Sequence, residues 1–539
     1  MTHAKLLDCT LRDGAYLIDK TFGDETIRGI IKGLVRAKLD YIEIGFFQNE
    51  GFGEGKTVFR DASDARRFVP EDKEGCCFTV LADYSRYSIE NLDRCTGDSV
   101  DAVRECFFKN ERMEALEVCR AIKEKGYKVF VQPVDILGYT DIELIEFLNK
   151  VNELEPYCLS IVDTFGSMYQ EDLHRIFEII NHNLVPSCKI GFHSHNNMQL
   201  SNALSQEFVR MTAGRREVIV DGTLNGMGRG AGNTPTELIM QYMCAQHAAN
   251  YDVDAILDTI DGYMENIRTR CTWGYSTQYF VAGCFSSHVN NIAYLSKKNS
   301  IRSKDIRFIL NKIGAQARKR YDYDLLESTY IDLMQSTVDD AEAIERLKTA
   351  IGRKKVLILV PGSSVNTQFE RIDAYVRENE PIVISVNFLH ERLDSDYIYM
   401  SNAKRYRYWV NNERFAQTQK LLTSNLNVPG DERTTVVSFP TLVKCGWEHL
   451  DNSTIMLLRL LDIVGVSEIA IAGFDGYGYA SENYANKYLE IPTDNTDAVA
   501  MNRELREMLE DYLVSRRHKE TPLRFVTTSR FASCVGKES

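Results

Sequence analysis

No apolar run in this 539-residue chain approaches the roughly 20 residues needed to cross a bilayer. Met1-Thr2-His3-Ala4-Lys5 does not open a charged-then-apolar leader. A cytoplasmic protein with no membrane span is therefore expected. Positive charge is in deficit, with 64 Lys and Arg against 77 Asp and Glu and a net charge of −13. That excludes a general nucleic-acid binder, which needs a basic face. Small anionic substrates stay open, because one Arg or one metal ion overrides the global sign locally. Not one CxxC pair occurs among the 13 cysteines, so they read as reduced, buried thiols rather than a zinc site or a disulfide framework. Prolines are few, and internal repeats and low-complexity linkers are absent. The length is too great for a single core, so two or three domains are expected.

What the first part of the chain does contain is alternation. Apolar strand candidates fall at Lys5–Leu7, Tyr41–Phe46, Cys76–Leu81, Val100–Phe107, Lys128–Pro133, Cys158–Val162, Lys189–Phe192 and Val218–Val220. Amphipathic helices lie between them. In Asp24–Lys38, Ile27, Ile30, Ile31, Leu34 and Val35 keep helical spacing, with Asp24 placed to cap. Glu111–Lys125 ends at Gly126, and Thr140-Asp141-Ile142-Glu143 is a capping box opening a helix through Leu154. Eight such units predict a (β/α)8 TIM barrel over residues 1–240, with its active site at the C-terminal strand ends. A doubly wound open sheet is the alternative. From 241 to 350 the strand signal stops, and helices at Asp252–Met264, Phe280–Lys297, Ser303–Ile313 and Tyr323–Met334 form a helical unit. Residues 351–539 resume strand–helix alternation, with strands at Val356–Val360, Ile382–Val386, Tyr397–Met400, Thr435–Val437, Ile469–Ala472 and Leu523–Val526. This predicts a Rossmann-like open α/β domain.

Three stretches carry chemistry, and all sit at predicted barrel strand ends. Asp8-Cys9-Thr10-Leu11-Arg12-Asp13-Gly14 follows the first strand, Gly191-Phe192-His193-Ser194-His195-Asn196-Asn197 ends the seventh, and Asp221 to Asn233 is a glycine-rich loop after the eighth. Strand side chains alternate, so His193 and His195 share a face. With Asp13 they make a three-ligand divalent metal site, and Asn233 is a candidate fourth ligand. Such oxygen and imidazole ligands suit Mn²⁺, Mg²⁺ or Co²⁺, and also admit Zn²⁺. Two histidines and a carboxylate equally make the facial triad of a non-haem Fe(II) oxygenase. Glu43 at the end of strand two, Arg104 inside strand four and Gln132 at the end of strand five shape the pocket or pack the barrel core.

As a set these motifs resemble the metal-dependent lyase superfamily of TIM barrels that includes isopropylmalate synthase, HMG-CoA lyase and 4-hydroxy-2-oxovalerate aldolase. The resemblance covers roughly residues 5–335. It implies an aldolase or lyase that makes or breaks a C–C bond beside a metal-bound 2-oxoacid, with pyruvate and an aldehyde as partners; a Claisen-type acyl-CoA enzyme and a decayed scaffold barrel are the alternatives. It also implies that Arg12 faces the developing oxyanion and that Thr164, in Asp163-Thr164-Phe165-Gly166-Ser167-Met168, binds the substrate carboxylate. In the aldolase branch the residue three after the metal Asp is a His read as the base. Here it is Tyr16, and because a phenol with pKa near 10 is a poor base at neutral pH, the catalytic role expected of Tyr16 is through a metal-bound water or as a proton donor, unless another group supplies the base. The branch's Tyr on the post-barrel helix falls near Val281, and Tyr275 is the nearest substitute. Phe285-Ser286-Ser287-His288 lies in the stretch similar to the branch's post-barrel helices, which implies a homo-oligomer, a dimer, docked through them.

Residues 355–530 are similar to bacterial CMP-sugar sialyltransferases, which implies nucleotide or nucleotide-sugar binding. Pro361-Gly362-Ser363-Ser364 is a turn whose N–H groups are expected near a phosphate. Gly362, Ser363, Asn387, Ser453, Gly473 and Asp475 are expected to line one crevice. No His occurs between Asp475 and Arg517, where that family carries its catalytic one. Fusion of an aldolase to such a domain suggests sugar or surface-polysaccharide biosynthesis.

Overall fold

In the computed structural model, residues 4–298, 301, 303–334, 338–428, 431–444, 446–447, 452–478, 483–486 and 495–535 are described. They fall into two compact units, 1–292 with 314–321 and 293–313 with 322–539.

The first unit is a closed barrel of eight parallel strands: β1 (Ala4–Asp8), β2 (Tyr41–Phe47), β3 (Cys77–Asp83), β4 (Ala102–Phe107), β5 (Lys128–Pro133), β6 (Cys158–Asp163), β7 (Lys189–Ser194) and β8 (Val218–Gly222). Each pairs with its sequence neighbour, and β1 closes the ring by pairing with both β2 and β8. A two-residue strand, Val58–Phe59, adds to the end of β2. All eight strands expected from the sequence are present, so the open-sheet alternative falls away.

The period of two along these strands builds the site. Leu7, Tyr41, Cys77, Ala102, Phe130, Cys158 and Ile219 form one buried apolar layer, which Cys9 joins from the turn after β1. Two residues further along their strands lie Glu43, Thr79, Arg104, Gln132, Ser160 and Asp221, all buried. Alternation puts the second set on the same inner face, one layer nearer the C-terminal ends. The barrel floor is thus apolar, with three cysteines as small fillers, and the layer above it is polar. The intervening residues, such as Leu6, Ile42, Phe78, Val103, Val129 and Leu159, face the helices in the main core.

Local expectations fare unevenly. The helix Asp141–Leu154 carries its Thr140–Glu143 capping box, and Gly126 takes a positive φ of 96° after the helix Arg112–Glu124. Asp24 does not cap its helix. It is the first residue of Asp24–Arg36, and its carboxylate accepts the N–H of Gly55 at 2.8 Å. The long helix expected at Phe280–Lys297 is two, Thr277–Cys284 and Val289–Ser296, because Ser286 adopts a left-handed φ of 47° between them.

The second unit contains a seven-stranded parallel sheet: β9 (Lys355–Leu359), β10 (Ile382–Val386), β11 (Tyr397–Met400), β12 (Gln419–Thr423), β13 (Thr434–Val437), β14 (Glu468–Ala472) and β15 (Leu523–Phe525), in spatial order β13-β12-β11-β10-β9-β14-β15. The order reverses between β9 and β14, which makes the crevice beyond their C-terminal ends the switch point of the sheet. Strand β12 was not expected: only Leu421 and Leu422 are strongly apolar in Gln-Lys-Leu-Leu-Thr, and pairing on both sides holds it. Among the described residues no helix is long and apolar enough to cross a membrane.

Candidate active site

The turn after β1 is closed by N–H groups of Arg12 and Asp13 donating to Cys9 O, at 3.1 and 2.8 Å. It lifts Asp13 over the polar layer. His193 sits in β7 and His195 just beyond it. Their Nε2 atoms lie 3.1 and 3.6 Å from Asp13 Oδ2, and the three ligand atoms are mutually within 4.8 Å. Asn233 is brought alongside by a bridge between its backbone and that of His195. The loop can fold this way because Gly232 has φ +85°, and a Cβ there would sit 2.0 Å from Gly226 O.

Asp13 Oδ1 and Asn233 Oδ1 are both buried without a hydrogen-bond partner, although Asn233 Nδ2 donates to Met227 O at 3.1 Å. Unpaired buried oxygens are costly. Two of them beside two imidazoles make a donor set that fits a divalent metal.

The electrostatics agree. Burial alone would raise the Asp13 carboxyl, but Arg12, His195 and His193 hold it well below the usual range. Burial presses His195 down to about 3, so that ring is neutral, the form a metal needs. His193 goes the other way. Burial lowers it, but its bonds to Asp13 and Asp221 outweigh that. A bound cation would expel that proton. The His193 Nδ1 partner, Asp221 at 2.9 Å, is the second carboxylate that fixes a ligating ring.

Below this cluster runs a buried charge network. Arg12 Nε donates to Glu43 Oε2 at 2.7 Å, Arg104 Nη1 lies 3.1 Å from the same oxygen, and Arg104 also pairs with Asp221. With its amide oxygen turned toward Arg104, Gln132 accepts from Arg104 Nε at 2.7 Å and from Ser160 Oγ at 3.0 Å. Glu43 is mid-strand rather than at a strand end, since β2 runs on to Phe47. Thr164 is half-buried. Its hydroxyl oxygen accepts the N–H of Asp135 at 2.8 Å, leaving its proton free to donate. Tyr16 lies under the Arg229 guanidinium, 3.9 Å from its ring centre, and burial pushes its phenol up. Tyr275 is 61% exposed and takes no place in this cluster. Sequence reasoning gave Asp221 no role of its own; its position two residues beyond a floor residue on β8 was the available signal. His288, read only as part of a helix, also lies near the mouth.

Of the residues expected in the second sheet, Gly362, Gly473 and Asp475 meet at its switch point, whereas Asn387 and Ser453 lie beside neighbouring strands. Asp475 accepts the N–H of Ser364 at 2.8 Å and pairs with its hydroxyl at 2.5 Å. Gly362 N–H donates to Gly473 O at 3.0 Å, and Ser363 N–H to Asn483 O at 3.3 Å. The turn's N–H groups, expected near a phosphate, thus already have protein acceptors. Asn387, beyond β10 at φ 63°, has a buried side-chain oxygen without a partner. Ser453 opens a helix and shares a hydrogen bond with Ser401 at 2.7 Å.

Residues 3–261 match the family model described as HMGL-like. The chain is 29% identical over 259 residues to oxaloacetate decarboxylase of Mycobacterium tuberculosis, covering 47% of this chain and 74% of that protein. It is 23% identical over 353 residues to 4-hydroxy-2-oxovalerate aldolase of Pseudomonas putida, covering 61% and 95%. Among solved structures, the HMG-CoA lyase of Bacillus subtilis aligns with a TM-score of 0.40 at 18% identity, over 49% of this chain and 93% of that one. That score is too low to bear on function. The family match covers just under half of the chain, and with the relatives and the barrel it supports a metal-dependent carbon–carbon lyase.

Proposed function

We propose that the barrel is an aldolase acting on a 4-hydroxy-2-oxoacid, releasing or consuming pyruvate, with Asp13, His193, His195 and Asn233 holding Mn²⁺ or Mg²⁺. The observation that carries this is the pair of unpartnered buried oxygens, Asp13 Oδ1 and Asn233 Oδ1, in one cluster with two imidazoles. When bound, the cation supplies Lewis-acid polarisation of the 2-oxo group.

The chain's own residues do the rest. Arg12 keeps a full positive charge, because Glu43 and Asp13 more than offset its burial. Held by Glu43, it presents a fixed donor to oxygen that gains charge as the C–C bond breaks. Thr164 donates its hydroxyl proton to the substrate carboxylate. Tyr16 walls the mouth and is too weak an acid, once buried, to serve as a base at neutral pH. The test is a panel of 4-hydroxy-2-oxoacids, assayed for pyruvate release with and without chelation. Chelator-sensitive release restored by Mn²⁺ or Mg²⁺ supports the reading. Release that survives full metal removal, or none from any member, counts against it.

For the second sheet we propose a ligand crevice at the switch point that takes a nucleotide through its base or sugar. Asn387, with its unpaired oxygen, favours that mode over phosphate capture at Gly362–Ser364.

A further inference from the structure

One short stretch after the barrel rests on three loops of its mouth. A Cβ on Gly283 would lie 2.9 Å from the Met198 side chain and 3.2 Å from Gly166 O. Ser286 Oγ donates to Ser167 Oγ at 3.2 Å. A Cβ on Gly230 would come within 2.9 Å of Val289 Cγ1. These contacts reach the loops after β6, β7 and β8, and His288 lies in the chain between Ser286 and Val289, which make two of them. The residue is well anchored. Its N–H donates to Arg318 O at 2.9 Å, and its ring meets that of Tyr321 at 4.9 Å.

The hydrogen bonds also fix its tautomer. Nδ1 accepts the N–H of Asn290 at 3.1 Å, so the ring proton is on Nε2. Burial above all, then the charges of Arg229, His195 and Arg86, press the ring down to about 3, so it is neutral. Its neighbours Ser286 and Val289, which touch the loops after β6 and β8, place it at the mouth, where Arg229 covers Tyr16. Three other groups there are committed. His193 and His195 belong to the ligand cluster, and Arg12 is tied to Glu43. His288 Nε2–H is a neutral donor with no protein acceptor among the described residues.

We propose that His288 is a further catalytic residue, whose Nε2–H donates a hydrogen bond to the distal oxygen of the substrate, the one that is a carbonyl in the aldehyde and a hydroxyl in the 4-hydroxy-2-oxoacid. The proposal rests on the aldolase reading of the barrel. In the condensing direction pyruvate loses one C3 proton to solvent, a C3–C bond replaces the π bond of the aldehyde, and the new alkoxide takes up one proton from water. The addition is proton-neutral overall. His288 stabilises the alkoxide as it forms and keeps its own proton. It has no part in removing the C3 proton, which separates its role from that of the ligand cluster.

The experiment compares two rates in the metal-loaded full chain: exchange of pyruvate methyl protons into D2O, and condensation of pyruvate with acetaldehyde. His288→Phe keeps a ring against Tyr321 and removes the donor. It should lower the ratio of condensation to exchange by about a hundredfold, the usual effect of losing one oxyanion donor. His288→Gln, which offers an N–H, should recover at least about a tenth of the wild-type ratio. A ratio that His288→Phe leaves unmoved, whether both rates fall together or neither does, overturns the proposal. A wild-type chain that exchanges no methyl protons overturns the aldolase reading instead. Independently of activity, ¹⁵N spectra of histidine-labelled full chain at pH 7 should show His288 as the neutral Nε2–H tautomer. An Nδ1–H tautomer or an imidazolium also overturns the proposal.

Discussion

Asp221 meets Nδ1 of His193 at 2.9 Å, and through that ring it faces Asp13, whose Oδ2 is 3.1 Å from Nε2. The His193 ring is thus held between a carboxylate from β8 and one from the turn after β1. Removing the outer carboxylate should loosen the ring without removing a ligand. Asp221→Asn is expected to weaken Mn²⁺ affinity by about 10- to 100-fold, measured by competition with a chelating dye. Unchanged affinity would mean that the ring needs no such orientation.

Glu43 holds two guanidiniums, Arg12 at 2.7 Å and Arg104 at 3.1 Å, with all three side chains buried. Taking one partner from such a network leaves buried charge uncompensated. Glu43→Ala should lower unfolding stability by about 3–5 kcal/mol, read from urea denaturation of the barrel transition. A loss below about 1 kcal/mol would mean that water or a shifted side chain replaces the carboxylate.

Much of this centre was legible in the sequence, for a physical reason. Strand alternation puts His193 and His195 on one face, and barrel closure brings β1, β7 and β8 together, so residues about 180 and 220 positions apart become neighbours. The network beneath was only half legible. Glu43, Arg104 and Gln132 announce themselves as polar residues in apolar strands, but their pairing depends on which layers share a height. His288 was hidden because its place follows from a left-handed Ser286 that breaks an apparently continuous helix. The partners of the Gly362–Ser364 turn were not legible either. A glycine–serine turn beside a helix start offers N–H groups, but groups far along the chain accept them: Asp475 that of Ser364, and the backbone oxygens of Gly473 and Asn483 those of Gly362 and Ser363.

Acidity gives a further test, at Asp8. Its carboxylate accepts from Thr10 N–H at 2.9 Å and Thr236 Oγ at 2.6 Å, yet burial still raises its pKa to about 6 from an ordinary 3.8. The folded state therefore binds this proton more tightly than the unfolded chain. The associated stability is fully present below about pH 4 and is lost as pH rises through about 6. At about 1.4 kcal/mol per unit, the total is about 3 kcal/mol. Asp8→Asn should not show this loss. The stability of the variant minus that of the wild type should grow by up to about 3 kcal/mol between pH 4 and pH 8. A difference that stays flat with pH would show that Asp8 is ionised throughout.

In the second unit, the paired N–H groups of Gly362, Ser363 and Ser364 and the unpaired oxygen of Asn387 separate two modes of ligand binding. Cytidine or CMP should raise the melting temperature of the full chain's C-terminal transition, and inorganic phosphate should not. At a hundredfold excess over Kd the stabilisation is about 2.7 kcal/mol. Asn387→Ala should abolish it. A shift with phosphate alone would place the ligand at the Gly362 turn, and no shift with any nucleotide would remove the nucleotide reading.

The central claim is that Asp13, His193, His195 and Asn233 form one divalent-cation site. Equilibrium binding of Mn²⁺ to the metal-free full chain, followed by electron paramagnetic resonance of the free ion, tests it most directly. The wild type should take up Mn²⁺ stoichiometrically. Asp13→Ala and His195→Ala, each with an unchanged circular dichroism spectrum, should lose the tight site. An Asp13→Ala chain that binds Mn²⁺ as tightly as the wild type would contradict the account.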